Sequence, residues 1–226
     1  MRFPAFLLAA ALVASPVFAA DRSFSVGAFT RVAAMGPYDV KIVTGRQPSV
    51  RATGDQTALD RLDISVMNGE LRIATQKQSS WLPGSGDATI FVTVPSLSAV
   101  SLTGSGDLSV DRVAGPAFSA ALTGSGDLSV ARSEADSLNL ALTGSGDMSI
   151  GGRCGTASVA LRGSGDLDAS KLMCRDVSVA LVGSGDVGIG ATGTANLSLM
   201  GSGDISVTGG ARCTKAQRGP GDITCR

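Results

Sequence analysis

Along the last two-thirds of the chain, short runs of alternating apolar and polar residues recur at almost fixed spacing. Each run is anchored to an Asp. Nine, seven and five residues before it stand Phe118, Ala120 and Leu122; Leu138, Leu140 and Leu142; Ala157, Val159 and Leu161; Val177, Val179 and Leu181; and Ala195, Leu197 and Leu199. One and three residues after it stand Leu108 and Val110, Leu128 and Val130, Met148 and Ile150, Val187 and Ile189, and Ile205 and Val207. Period-two alternation describes strands with one buried face, so two strands flank each Asp. Between them lies Gly-Ser-Gly-Asp, ending at Asp87, Asp107, Asp127, Asp147, Asp166, Asp186 and Asp204, with a degenerate Gly-Pro-Gly-Asp at Asp222. The steps are 20, 20, 20, 19, 20, 18 and 18 residues, a period that marks a solenoid.

One such repeat is too short to bury its own apolar face, and no helical stretch separates the strands as a βαβ crossover would require. The pattern predicts an all-β fold, a single-stranded parallel β-helix of about 20 residues per coil, right-handed by the general bias of parallel crossovers. At roughly 4.8 Å per coil, the seven steps from Asp87 to Asp222 predict a rod on the order of 34 Å long. The Gly residues supply a corner where positive φ costs little, and the Asp carboxylate is expected to accept backbone N–H groups within its own turn.

The chain divides into a leader over 1–19, an irregular N-terminal β cap over 20–82, and the β-helix with a C-terminal cap over 83–226. Arg2 precedes an apolar run from Phe3 to Phe18 that is broken by Pro4, Ser15 and Pro16, with small residues around Val17-Phe18-Ala19. This reads as a secretory signal peptide, too short to span a membrane and without a following Cys for a lipid anchor. The cap is expected to cover the solenoid's open sheet edge. Within it, Asp63–Val66 and Glu70–Ile73 flank Asn68-Gly69 as a type I′ hairpin. Tyr38–Val43 and Ser49–Ala52 are further strands, Asp55 caps one helical turn over Thr57–Leu62, and Thr89–Val94 leads into the rod.

Cysteine spacing supports both the register and an oxidising compartment. Cys154 and Cys174 each precede the next repeat's Asp by twelve residues, so stacking brings them within disulfide reach. Cys213 and Cys225 fall nine before and three after Asp222, at inward positions of the last coil. Other pairings, and a four-thiolate zinc site, are the alternatives. Lys215 and Gln217 replace apolar residues in that coil, as expected where a core meets solvent.

Charge and composition remove several functions. The 19 basic and 19 acidic residues become 18 and 19 without Arg2, so charge gives no reason to expect a nucleic-acid partner. With no His, a Ser-His-Asp triad and His-ligated metals are excluded. Aromatic platforms for sugars are scarce, and Trp81, beside Pro83, reads as a packing residue. The Thr103, Thr123, Thr143 and Ser105, Ser125, Ser145 rows form a regular polar face. The stacked carboxylates of Asp107, Asp127, Asp147, Asp166, Asp186 and Asp204 are the feature closest to chemistry. Neighbours about 4.8 Å apart repel by roughly 3 kcal/mol at an effective dielectric near 20, which backbone N–H bonds or bound calcium could offset. The ladder matches neither the period nor the Asp position of the nine-residue calcium β-roll, and no cofactor is expected.

Tyr38-Asp39-Val40-Lys41-Ile42, then Asn68-Gly69-Glu70-Leu71-Arg72-Ile73, then Val92-Thr93-Val94-Pro95 leading into Leu102-Thr103-Gly104-Ser105-Gly106-Asp107 resemble, in this order, the bacterial GIN domain, the autotransporter-adhesin head, over roughly residues 24–210. The resemblance implies a β-helical, exported, surface-associated protein without catalytic residues to carry over. The chain leaves no room for the many strands of a translocator barrel. The expectation is a monomeric, non-enzymatic binding or adhesin-like scaffold of the cell envelope, periplasmic or at the cell surface, with a polysaccharide or protein partner. The alternatives are a polysaccharide-acting β-helix enzyme using the repeat Asp residues and a purely structural envelope protein.

Overall fold

A computed structural model describes residues 20–76 and 87–226. The expected signal peptide, Trp81 and the first Gly84-Ser85-Gly86 lie outside the described residues.

The strands are β1 (Ala20–Phe24), β2 (Arg31–Gly36), β3 (Asp39–Thr44), β4 (Ser49–Gly54), β5 (Leu62–Met67), β6 (Glu70–Thr75), β7 (Ala88–Val94), β8 (Ala99–Gly104) and β9 (Leu108–Val110). The longer β10 (Val113–Gly124), β11 (Leu128–Gly144), β12 (Met148–Gly163), β13 (Leu167–Gly183) and β14 (Val187–Gly201) follow, then β15 (Ile205–Thr208), β16 (Arg212–Arg218) and β17 (Ile223–Cys225). One helical turn, α1 (Gln56–Asp60), interrupts them. From β8 onward the strands pair in parallel with their equivalents one coil away, making the expected β-solenoid.

Alternate side chains enter the core and stack in files. Leu102, Leu122, Leu142, Leu161, Leu181 and Leu199 are successive partners, and none is more than 1% exposed. Burying each contributes about 1.5–3 kcal/mol, and each strand alone would leave that surface wet. A second file runs from Leu108 through Leu128, Met148, Leu167, Val187 and Ile205 to Ile223.

The N-terminal segment is threaded into this stack. β2 lies between β6 and β8, and β3 lies between β7 and β9, all in parallel. The coil beneath Asp107 is therefore the early Gly36-Pro37-Tyr38-Asp39, and the coil containing Asp87 lies one level further down. Expected as the first step of the Asp file, Asp87 instead donates its N–H to the carboxylate of Asp55 (3.1 Å). Coil order in space differs from order in sequence because β-strand pairing selects complementary edges, whatever the sequence separation.

Beyond β6 and β7 the direction reverses. β5 runs antiparallel on β6, β4 antiparallel on β7, and β1 antiparallel on β4, ending the parallel stack. The β5–β6 hairpin turns at Asn68 (φ 52°) and Gly69 (φ 73°), the two positive angles a type I′ turn requires. Asp55 precedes α1, which is shorter than expected, and its side chain makes no capping bond because it is held by Asp87. At the other end, Lys215 stacks over Leu197 and Gln217 over Leu199. The Lys215 Nζ donates to the Ile223 carbonyl (2.7 Å) and the Gln217 amide donates to the Gly221 carbonyl, so both polar tips are satisfied where the apolar files stop.

Candidate functional site

The corner edge is built from backbone first. The leading glycine of each corner has positive φ, for example +130° at Gly144, and a Cβ there would lie 2.2 Å from the Gly124 carbonyl oxygen. The second glycine has ordinary φ but equally little room: a Cβ on Gly146 would sit 2.0 Å from the Gly126 oxygen. Ser145 and Gly146 both donate their N–H to the Gly124 carbonyl (3.0 and 3.1 Å), and the same pairing recurs in neighbouring corners. Corners thus close-pack backbone on backbone, which only Gly allows.

The Asp file is bonded between coils. Asp39 Oδ1 accepts the N–H of Asp107 (3.2 Å), Asp107 that of Asp127 (3.0 Å), and Asp127 that of Asp147 (3.0 Å). Asp147, Asp166, Asp186 and Asp204 continue to Asp222, each at 2.8 Å. The sequence suggested donors within the same turn. The turn's own Ser and Gly N–H groups are occupied by the carbonyl of the coil below, so the available donor is the next coil's Asp. Charge-assisted bonds of this kind offset carboxylate repulsion. Among the described residues, no group of three or more His, Cys, Asp or Glu side chains is placed to hold a metal ion.

Beside this file runs a groove of about 630 Å³, walled by Asp39, Asp107, Asp127, Asp147 and Asp166 and floored by Lys41, Ser109, Ser129, Ser149 and Asp168. The floor file is Ser109, Ser129, Ser149 and then Asp168 in register. The hydrogen bonds to Asp168 from Ser170, whose N–H donates to Oδ1 at 3.0 Å, hold its carboxyl below the usual range, helped by the charge of Lys171. Asp186 and Asp204 continue the wall's bonding beyond the groove lining.

The groove leads into two further depressions. One is bordered by Ser149, Gly151, Asp168 and Lys171, and the next by Arg132, Ser133, Glu134, Gly151, Gly152, Arg153 and Lys171. The four cysteines pair as the spacing predicted. Cys154 joins Cys174 across adjacent coils with Cα atoms 4.5 Å apart, and Cys213 joins Cys225 within the last coil.

Sequence reasoning missed Asp39 as the base of the file, although Gly36-Pro37-Tyr38-Asp39 repeats the terminal Gly219-Pro220-Gly221-Asp222 with one substitution. It also missed the cations around Gly151-Gly152. Their only signal is the 19-residue step from Asp147 to Asp166, which places a bulge there.

A family model described as "Putative auto-transporter adhesin, head GIN domain" matches residues 28–211. The chain belongs to this family. Curated protein sequences contain no match to it. Among solved structures, a "putative adhesin" from Bacteroides fragilis is similar with a TM-score of 0.86 and 19% identity, over 93% of this chain and 98% of that one. A second "putative adhesin", from Parabacteroides distasonis, aligns over 92% and 97% of the two chains with a TM-score of 0.74 and 19% identity. A "putative lipid binding protein" from the same species aligns over 93% and 97% with a TM-score of 0.73 and 20% identity. At these identities the likeness establishes the shared fold. An adhesin-type domain carrying two disulfides points to an extracellular or surface location. Among the described residues no helix is long and apolar enough to cross a membrane.

Proposed function

We propose that this GIN-domain chain is exported through its N-terminal leader and serves as a non-catalytic, monomeric binding module, with the groove along the Asp file as its docking surface. The carrying observation is that each file carboxylate from Asp39 to Asp204 spends Oδ1 on the next coil's backbone. Glycoside hydrolysis needs two carboxylates in distinct environments, one acid and one base or nucleophile. Here every coil offers the same carboxylate in the same bond, which suits repetitive contact with an extended ligand. The Ser floor, half-buried at Ser109 and Ser129 and exposed at Ser149, adds hydroxyl groups at coil spacing, suited to hydrogen bonding with a polyhydroxylated polymer.

The test incubates the purified chain with cell-envelope and host-surface polysaccharides and scores both protein retention and new reducing or unsaturated ends. Retention without new ends is the expected result. New ends that disappear in Asp127→Asn or Asp147→Asn would make the chain a β-helical enzyme. Retention by none of the polymers would move the function to a protein partner or to a structural role.

A further inference from the structure

The bend at residues 131–134 and 151–153 is one of the places where the solenoid departs from its own repeat. Pairing between β11 and β12 shifts register between Val130 and Ser133, and pairing between β12 and β13 shifts between Ser149 and Gly152. Ser133 is the one buried polar side chain among the described residues. Gly152 has φ +119° and packs so tightly that a Cβ would lie 2.1 Å from the Ser133 carbonyl oxygen. With Gly151 beside it, the floor of the depression, about 420 Å³ in volume, is bare backbone.

Three cations from three successive coils surround that floor: Arg132, Arg153 and Lys171. Glu134 stands among them and Asp168 lies beside Lys171, so the formal charge of the cluster is +1 (three minus two). Glu134 Oε1 accepts Arg132 Nε at 3.0 Å and lies 2.9 Å from another guanidinium nitrogen of that residue. Arg153 reaches the same oxygen only at 3.8 Å, and its side chain is 77% exposed. Arg132 is thus fixed by Glu134, whereas Arg153 is only loosely paired with the same oxygen and stays mostly exposed. Immediately after Arg153, the Cys154–Cys174 bond ties this coil to the one carrying Lys171, restraining the coils where their register is irregular.

We infer that this notch binds an oxyanion, a carboxylate or sulfate ester, carried by an acidic polysaccharide. The inference rests on the reading of the chain as a binding module and narrows its ligand. Guanidinium groups present paired donors that match carboxylate and sulfate. The adjoining groove decides which polymer. Its file of Asp carboxylates repels a nucleic-acid backbone, whose charges come every 3.4 Å or so along a strand. A polysaccharide with charges spaced one sugar or more apart sets neutral hydroxyls against the Ser floor and its anionic group in the notch.

The experiment measures binding of the full exported chain to polygalacturonate, chondroitin sulfate and neutral dextran at low salt. Both acidic polymers are expected to bind more tightly than the neutral one. Arg153→Ala and Lys171→Ala should each weaken that binding about tenfold, Glu134→Gln should strengthen it, and Arg218→Ala, the same charge change in the last coil, should leave it within twofold. Equal losses in Arg153→Ala and Arg218→Ala would overturn the notch, because the attraction would then be net charge alone. Binding to neutral polymers with none to acidic ones would also overturn it while leaving the binding-module reading intact, whereas binding to none of the three would overturn the notch and move the function to a protein partner or a structural role.

Discussion

The Gly-Ser-Gly-Asp edge and the bend around Gly151-Gly152 belong to the same coils, yet they are built differently. At the edge, one bonding pattern runs from Asp39 to Asp222, and each Asp N–H from Asp107 onward meets the Oδ1 of the preceding coil. At the bend, consecutive coils carry Arg132 and Ser133, then Gly151-Gly152 and Arg153, then Lys171, with register shifts between them. The difference separates maintenance of the stack from presentation of chemistry. A repeated element must satisfy the coil above and the coil below, which leaves little freedom for selecting a ligand. An element that breaks the repeat has given up part of that pairing and must be held by other means, here a disulfide.

The largest expected effect tests the rigidity of the edge. Gly144→Ala places a Cβ 2.2 Å from the Gly124 oxygen at φ +130°, and should cost about 3 kcal/mol or more in chemical denaturation. Gly188, whose nearest neighbour to a new Cβ is 4.0 Å away, is the control: Gly188→Ala should change stability by no more than about 0.5 kcal/mol, with a gain more natural than a loss. Equal losses at the two sites would mean that the corner's packing is not what limits it.

Next comes the bend. Replacing both Cys154 and Cys174 by Ala opens a 20-residue separation, and about 3 kcal/mol of stability should go with it. A loss much below 1 kcal/mol would show that the irregular coils are held together well enough by their remaining pairing.

A smaller effect sharpens the role of the Asp file. Asp147→Ala removes the acceptor for the Asp166 N–H and should cost about 1 kcal/mol. Asp147→Asn keeps a carbonyl acceptor in place, so its cost should be clearly smaller. If Asn stabilised the protein by more than this while Ala was neutral, repulsion within the file would outweigh its hydrogen bonds.

The smallest effect is acid dependence. Hydrogen bonds from Ser170 to Asp168, and from Arg175 and Thr194 to Asp176, lower both carboxyls below their usual range. A carboxyl lowered in the folded state contributes stability that is present above the unfolded value, about 3.9, and is lost as pH falls through the lower folded value. Thermal midpoints followed down through that window should fall less steeply for Asp168→Asn than for the unmodified chain. An unchanged slope would mean that the Ser170 contacts do not persist in solution.

The short-range features of this molecule were readable from residues alone. The apolar offsets around each Asp placed Leu122, Leu142 and Leu161 in the core because side-chain alternation is a property of a single strand. The twelve-residue offset shared by Cys154 and Cys174 predicted their bond because equivalent positions of successive coils must stack. The Asn68-Gly69 turn followed from backbone sterics within two residues. Asp55, by contrast, looked like a helix cap, and tertiary contact redirected its carboxylate to Asp87.

What tertiary structure alone decided is the order of the coils and the company their side chains keep. Nothing local says that β2 and β3 insert between the β6–β7 and β8–β9 levels, or that the Asp file therefore starts at Asp39 and bypasses Asp87. The donors to that file come from the neighbouring coil, and the notch gathers Arg132, Arg153 and Lys171 from three levels. The sequence by itself determined the repeat, the inward faces and the corners, since these depend on sterics and burial within about twenty residues. Stacking determined the rest, because a hydrogen-bonding edge recognises geometry and not position along the chain.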